Sequence, residues 1–293
     1  MNIQKSFSEA AKENSGSLYL VATPIGNLED MTFRAIRTLK EVQLIAAEDT
    51  RQTRKLLTHF EIGTRIVSYH EHNKRASGPE LIRLLLEGQS IALVSDAGLP
   101  AISDPGADLV RDAVEHNIPV IPIPGANAAL SALIMSGLPT ERFLFAGFPP
   151  RERKSLTKWL KDLQAQKGTL LFYESPHRIT KTLEALQECL GDRSIACVRE
   201  LTKRHEEAIR GRVSECMEWF EEHPPQGEFC IVVEGSDGIG ASEQPTAAIW
   251  WSELDLAAHV AHYEEQYDRK EAIKLVAVDR GLPKRDVYNE VNR

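Results

Sequence analysis

The chain is poor in cysteine, the residue that forms disulfides and many metal sites. Its 293 residues include only four cysteines, Cys189, Cys197, Cys216 and Cys230, and no two of them have CxxC spacing. The cysteines sit among apolar neighbours and no histidines cluster beside them. We therefore expect buried thiols, no disulfide and no bound metal.

Long apolar runs are also missing. No stretch approaches the roughly 18 continuous apolar residues that a membrane helix needs. The N-terminal segment, MNIQKSFSEAAKEN, lacks the apolar core of a signal peptide. A hydrophobic content of 42% and a charged content of 27% are typical of a globular protein. We therefore expect a cytoplasmic protein that does not associate with membranes.

The common phosphate-binding loops are absent. Neither GxGxxG nor GxxxxGK[ST] occurs, which argues against a nicotinamide dehydrogenase and against a P-loop nucleotidase. A net charge of −8 argues against indiscriminate coating of nucleic acid. Two segments are nevertheless basic, residues 151–167 and the tail from Arg269 onward. They are interpreted first as solvated helix faces, with RNA contact as the alternative.

Short apolar runs alternate with segments of helical period along most of the chain. The first series pairs SLYLVAT with TFRAIRTLKEV, QLIAAED with TRQTRKLLTHF, TRIVSYH with GPELIRLLLEG and SIALVSD with GADLVRDAVEHN, and ends at PVIPIPG. This alternation is typical of βα units that form a mainly parallel sheet. In the fourth helix the apolar stripe is predicted to comprise Leu109, Val110, Ala113 and Val114.

A second alternating series follows Pro124 and Gly125. Its predicted strands are RFLFAGF, GTLLFYES, SIACVREL and EFCIVVEG, separated by segments of helical period. One of those helices has a buried face at the expected spacing, formed by Ile179, Leu183, Leu186 and Leu190.

The two series predict two α/β domains, residues 17–124 and 125–235. Glycine, serine and proline punctuate residues 236–249, which reads as a linker. Residues 250–293 contain two helical segments, a glycine-containing break and a short third helix, the outline of a helix-turn-helix module. Such an outline fits RNA docking, and it equally fits a packing appendage.

The residues that follow the strands are the candidates for a ligand site, because ligands of open α/β sheets bind beyond the carboxyl ends of the strands. The segments there are TPIGNLED, EDTRQTR, SDAGLPAISDPG, PGANAA, YESPHR and RELTKRHEE. TPIGN alone is explained by a tight turn. Asp104 is explained as a helix cap before a proline, whereas Asp96 has no such explanation.

These six segments, in this order, resemble the bacterial small-subunit ribosomal RNA cytidine 2′-O-methyltransferases of the tetrapyrrole-methylase (class III) superfamily. The resemblance covers nearly the whole length, including the helical tail. It implies two α/β domains with S-adenosyl-L-methionine in the cleft between them, and a homodimer. It also implies methylation of 16S rRNA in the small ribosomal subunit, at the decoding-centre cytidine 1402.

The resemblance also implies which residues bind the cofactor. The superfamily's Gly-Asp-Pro motif corresponds to Ser95-Asp96-Ala97, so only the aspartate is retained. The loop after the first strand would form part of the cleft floor. The expected cofactor-binding residues are Pro24, Gly26, Asp96, Gly98, Leu99, Asn127, Ala128 and Tyr173.

Methyl transfer to a ribose hydroxyl requires alignment of the reacting atoms and removal of the hydroxyl proton. Acids and bases follow the strands of the second series, and they are the predicted catalytic residues: Glu174, His177, Arg178, Glu200 and Lys203. Surface ion pairing is the alternative for each. Glu48 and Asp49 are further candidates for the base at strand ends, and the residues do not single out one general base.

Three functions are compatible with the residues. The first, which we expect, is an RNA 2′-O-methyltransferase. The second is a methylase of the same fold that acts on a tetrapyrrole, since a fold does not fix a substrate. The third is a non-catalytic RNA-binding protein, which would have broken cofactor loops, although Asp96, Gly98, Gly125 and Asn127 are present.

Overall fold

The structure is a computed structural model. It describes residues 4, 15–104, 106–236, 251, 254–264, 267–280 and 282–291. The chain separates into two compact units with the boundary between Gly238 and Ile239. The predicted linker, residues 236–249, lies outside the described residues apart from Ser236. The predicted domains 17–124 and 125–235 both fall in the first unit, and the division between them stays a prediction.

The first five strands form a parallel sheet in the order β3-β2-β4-β1-β5. They are β1 (Leu18–Val21), β2 (Leu44–Ala47), β3 (Ile66–Ser68), β4 (Ile91–Val94) and β5 (Val120–Ile123). The central strands β2 and β4 are buried along their whole length, as both-face burial in such a sheet requires. Pro122 is accommodated because β5 is an edge strand and needs no ladder donor on its outer side.

In the described residues four helices cover this sheet: α1 (Phe33–Glu41), α2 (Thr50–His59), α3 (Lys74–Leu86) and α4 (Gly106–Glu115). Thr32 caps α1 and Asp49 caps α2 by accepting a backbone hydrogen bond. The predicted stripe of α4 was wrong at one position, since Val114 is 47% exposed while Leu109 and Ala113 are buried. The stripe is narrower because a sheet-covering helix buries only the side that faces the strands.

The second five strands form a mixed sheet in the order β6-β7-β10-β8-β9. They are β6 (Phe143–Phe145), β7 (Thr169–Glu174), β8 (Ser194–Arg199), β9 (Glu207–Arg212) and β10 (Phe229–Val233). β6 and β7 are parallel, but β10 runs antiparallel to both β7 and β8. Strand β9 was not predicted, because an edge strand with the sequence EAIRGR buries few side chains and lacks an apolar run.

Helices α5 (Ala128–Ser136), α6 (Arg153–Leu163), α7 (Ile179–Leu190) and α8 (Val213–Glu222) accompany the second sheet. The predicted buried face of α7 is confirmed, with all four of its residues in the core beside α6 and α8. The four cysteines are free and buried, as predicted.

The described residues of the C-terminal unit form three helices, α9 (Leu256–Glu264), α10 (Arg269–Asp279) and α11 (Lys284–Val291), around a small apolar cluster. Arg280 braces it by donating to the carbonyl of Trp251 at 3.1 Å and to Nδ1 of His259 at 3.1 Å. Burial and the Arg280 charge lower the pKa of His259, so its neutral form is favoured there. In the part of the chain described, no helix is long and apolar enough to cross a membrane.

Candidate active site

Two loops at the carboxyl edge of the first sheet are joined by a backbone pair. Thr23 and Gly98 exchange two hydrogen bonds, at 2.9 Å and 3.0 Å, and so connect the loop after β1 to the loop after β4. The Thr23 hydroxyl adds a bond to the carbonyl of Ser95 at 3.2 Å. Gly98 has a φ of +79°, a conformation that favours glycine. The pairing fixes the backbone of residues 95–99, SDAGL, all of which line the cavity.

The loop after Gly98 is held by a carboxylate. Asp104 accepts from the backbone N–H of Ala101 at 2.8 Å and of Gly106 at 2.7 Å, the latter at the start of α4. Ala101 and Ser103 both have positive φ values, 68° and 62°, which are uncommon for residues with a side chain. Such strain persists only where the surroundings hold it, and it is frequent at functional sites. The structure therefore agrees with a capping role for Asp104.

Acidic side chains collect along this edge. Asp96 Oδ1 accepts from the backbone N–H of Asp49 at 2.9 Å, linking the ends of β4 and β2. Glu48, the residue before Asp49, also lines the cavity. Burial raises the pKa of Glu48, and the nearby carboxylates of Asp96 and Asp104 raise it further. An additional negative charge is therefore disfavoured here, and a cationic group is favoured.

The opposite wall begins at the end of β7 with Tyr173. Its ring lies 5.0 Å from that of Phe145 and 5.4 Å from that of Phe148, measured between centroids. Burial raises the pKa of Tyr173 to about 12, so the phenol stays neutral at physiological pH. This wall is therefore aromatic and uncharged at its centre.

The next residue, Glu174, is buried, and its carboxylate is fully engaged. It accepts from the Ser175 N–H and from the Thr182 hydroxyl, each at 2.7 Å, and lies 3.4 Å from Nη2 of Arg178. Arg178 in turn donates to the carbonyls of Pro149 at 3.0 Å and Pro150 at 2.8 Å. These contacts account for both side chains as a brace beneath the wall.

A second ion pair follows β8. Lys203 Nζ lies 2.9 Å from Glu200 Oε1, and this bond lowers the pKa of Glu200. Glu200 and Thr202 have positive φ values of 51° and 66°. Gly26, in the loop after β1, packs against this turn so closely that a Cβ there would lie 2.4 Å from Lys203 Cγ. The turn after β8 and the loop after β1 are therefore in direct contact.

Both walls enclose one cavity of about 770 Å³, a size typical of small-molecule sites. All five predicted catalytic residues line it, and so do Asp96, Gly98, Leu99, Asn127, Ala128 and Tyr173. Pro24 and Gly26 do not line it, although Ile25 between them does. Asn127 Oδ1 caps α5 by accepting from the Leu130 N–H at 2.8 Å. His177 is exposed on the wall.

Several lining residues were not predicted as site residues. They include Phe148, Arg151 and Glu228, whereas Glu48, a candidate acid from the sequence, lines the cavity as well. Arg151 is the first residue of the basic segment 151–167, so its charge could have indicated a site. The segment was instead interpreted first as a solvated helix face, because its sequence has a helical period. Among the described residues, no group of three or more histidines, cysteines or carboxylates is placed to hold a metal ion.

The charge of the cavity is divided between its walls. In the described lining, the loops of the first sheet contribute Glu48, Asp96 and Asp104 and no basic side chain, whereas the second series contributes side chains of both signs, including Glu174, Glu200 and Glu228. The basic residues of the second series are Arg151, His177, Arg178 and Lys203. Two of these cations are paired within the wall, Arg178 with Glu174 and Lys203 with Glu200. The first wall therefore favours a cationic ligand, and the basic side chains of the described lining all lie on the second wall.

The comparisons with known proteins agree with this architecture. The family described as Tetrapyrrole (Corrin/Porphyrin) Methylases matches residues 17–216. A protein of Halalkalibacterium halodurans named ribosomal RNA small subunit methyltransferase I is 56% identical over 290 residues, covering 99% of this chain and 98% of its own. A Bacillus subtilis protein of the same name is 54% identical over 288 residues, covering 98% of each chain.

Solved structures share the fold at low identity. Uroporphyrin-III-C-methyltransferase from Thermus thermophilus superposes with a TM-score of 0.53 at 22% identity, covering 76% of this chain and 96% of its own. Diphthine synthase superposes with a TM-score of 0.57 at 14% identity, covering 75% and 90%.

The close approach at Gly26 yields a stability prediction. A Gly26→Ala substitution places a Cβ 2.4 Å from Lys203 Cγ and 2.9 Å from Thr202 Oγ1, so the turn after β8 must move. We expect a loss of about 1–3 kcal/mol in the free energy of unfolding, as for other overpacked sites, measured by urea denaturation. Gly63→Ala is the matched control, because a Cβ at Gly63 would meet no atom within 4 Å. Equal stability of the two variants would contradict the packing argument.

Proposed function

The chain belongs to the tetrapyrrole (corrin/porphyrin) methylase family, and from that premise we propose that it is an S-adenosyl-L-methionine-dependent ribosomal RNA methyltransferase. Its substrate is the 16S RNA of the small ribosomal subunit, methylated on the 2′-hydroxyl of a cytidine ribose. The observation that carries the proposal is full-length similarity, above half identity, to proteins named ribosomal RNA small subunit methyltransferase I.

The residues of the cavity fit the cofactor. S-adenosylmethionine carries a sulfonium, an ammonium and one carboxylate, so its net charge is positive, and the acidic loops of the first sheet suit it. Asp96 is the proposed polar anchor, with Leu99 offering backbone groups beside it and Gly98, paired with Thr23, holding the loop in place. Asn127 and Ala128 would contact the cofactor from the start of α5, and Tyr173 from the aromatic wall. The bound cofactor supplies a methyl group already activated for displacement.

The chain must then align a ribose hydroxyl and accept its proton. His177 is the proposed general base, because it is exposed on the cavity wall and histidine is the side chain most often used in this role. Glu200 and Lys203 form an ion pair in the cavity lining and would orient the ribose. Glu174 and Arg178 support the wall through the contacts described above, so their proposed contribution is positioning.

A tetrapyrrole is the second candidate substrate, since the fold is shared with uroporphyrin methylase. The tail favours RNA. A groove between α10 and α11 is lined by Arg269, Lys270, Ile273, Lys284 and Tyr288. Every charged residue of the groove is basic, and Tyr288 is 56% exposed. Such a combination suits phosphates and an unstacked base, which supports RNA docking by the C-terminal unit.

A homodimer in the cytoplasm is part of the proposal. Apolar side chains remain exposed on the first unit, including Ile134 of α5, 78% exposed, and Phe143 of the edge strand β6, 47% exposed. Exposed apolar residues on an edge strand are typical of an interface. Ribosomal subunits as the substrate place the enzyme in the cytoplasm.

The substrate is tested by incubating the purified chain with a methyl-labelled donor and one of three acceptors: small ribosomal subunits, free 16S RNA or uroporphyrinogen. We expect label in the ribosomal RNA, at the 2′-oxygen of a cytidine after nuclease digestion and mass spectrometry. Label in the tetrapyrrole and none in RNA would overturn the proposal.

The cofactor site is tested with Asp96→Ala and Leu99→Arg. The first removes a carboxylate from the cavity and the second adds a cation near a cationic ligand, so both should weaken S-adenosylmethionine binding by about tenfold or more. Asp96→Asn is the matched comparison, because its side-chain oxygen can still accept from the Asp49 N–H. Calorimetric titration that gives wild-type affinity for Asp96→Ala and Leu99→Arg would refute the assignment.

The tail is tested by charge reversal in its groove. Lys270→Glu combined with Lys284→Glu should weaken binding to small subunits and lower the salt dependence of binding by about one unit of slope per lost phosphate contact. Lys274→Glu is the control, because Lys274 pairs with Glu271 and does not line the groove. Equal effects of the groove and control variants, or loss of cofactor affinity in the groove variant, would argue for a packing role.

A further inference from the structure

The segment Phe148–Arg151 combines an exposed aromatic ring with a basic side chain at the edge of the cavity. Phe148 is 63% exposed, although one side of its ring meets Tyr173. Arg151 is exposed and also lines the cavity. Exposure of so large an apolar ring to water is unfavourable, and a ligand that covers the ring removes this cost. The fold itself therefore leaves the outer face of the Phe148 ring available.

Arg151 differs from the other cavity cations. Lys203 is paired with Glu200, and Arg178 is bound to two carbonyls and to Glu174. Among the described residues, no carboxylate pairs with Arg151. Its charge is therefore available to an anion that enters the cavity from outside.

The segment is built to stay in place. Pro149 and Pro150 restrict the backbone between the ring and the cation. Nη2 of Arg178 donates to both of their carbonyls, and Glu174 holds Arg178 from below. An ordered pair of contacts loses less conformational entropy on binding than a mobile loop would.

We propose that Phe148 and Arg151 form a nucleotide clamp for the target RNA, in which the ring stacks on an unpaired base and the guanidinium binds an adjacent phosphate. Aromatic rings stack on bases in single-stranded sites, and arginine binds phosphate through two parallel donors. Arg178 is a positioning residue for the clamp. This inference rests on the proposed function, since it names how the same cavity recognises RNA.

The charge division of the cavity favours RNA at this position over the cofactor. Acidic residues lie on the loops of the first sheet, where a cationic cofactor is stabilised. Arg151 lies on the opposite side, where Glu174 and Glu200 are already paired with Arg178 and Lys203, and its own charge attracts a phosphate and repels a sulfonium. The clamp therefore contributes to RNA affinity and leaves cofactor affinity unchanged.

The clamp is tested on the full chain with small ribosomal subunits and a methyl-labelled donor. Phe148→Leu and Arg151→Gln should each raise KM for the subunit about tenfold, with S-adenosylmethionine affinity by calorimetry unchanged. Phe148→Tyr should have the wild-type KM, because tyrosine keeps a ring that can stack. Arg151→Gln should also lower the salt dependence of subunit binding by about one unit of slope.

Lys154→Gln is the matched control, since Lys154 is exposed on α6 and does not line the cavity. Arg178→Lys should raise KM for the subunit without a matching fall in kcat. Unchanged KM in Phe148→Leu and Arg151→Gln, or a loss of cofactor affinity in either, would overturn the clamp. Failure of the proposed function would instead be seen in the wild-type chain, which would label no ribosomal RNA.

Discussion

The site depends on the backbone pair between Thr23 and Gly98. Parallel strands bring β1 and β4 side by side, but the loops beyond them would diverge without a further bond. The two hydrogen bonds of this pair hold the loops together just past the sheet. Asp96 extends the same edge by bonding to the backbone of Asp49 after β2. Three strand ends are thus linked by hydrogen bonds, and the acidic side chains Glu48 and Asp96 lie among them.

The opposite wall is fixed by side chains. Glu174 is buried and fully hydrogen-bonded, and through Arg178 it holds the prolines that precede Arg151. A buried carboxylate is stable only when such partners surround it. Neighbours in ESPHR are consequently placed for different duties: the glutamate and arginine support the wall, while His177 between them, the proposed base, is exposed and lines the cavity. Adjacent polar residues in one motif need not share one role.

Sequence reasoning was strongest where periodicity and topology act together. The apolar alternation predicted the first sheet, and the rule that ligands bind beyond strand ends selected the loops that line the cavity. It was weaker in predicting which side chain of a loop faces the cavity and in finding edge strands. In TPIGN the lining residue is Ile25, because Gly26 is used for contact with Lys203. Strand β9 was not predicted, because an edge strand is half exposed and lacks an apolar run. Which side chain of a loop faces inward depends on packing across the chain, which local patterns do not encode.

The antiparallel course of β10 has a consequence for how the protein is made. Because β10 runs against β7 and β8, its beginning, Glu228 to Cys230, joins the wall formed by the ends of those strands. The lining of the cavity therefore extends from Ile25 to Cys230 along the chain. Contacts this distant in sequence form late in folding. During synthesis the cavity cannot close until almost all of the first unit has left the ribosome, the particle on whose RNA the finished enzyme is proposed to act.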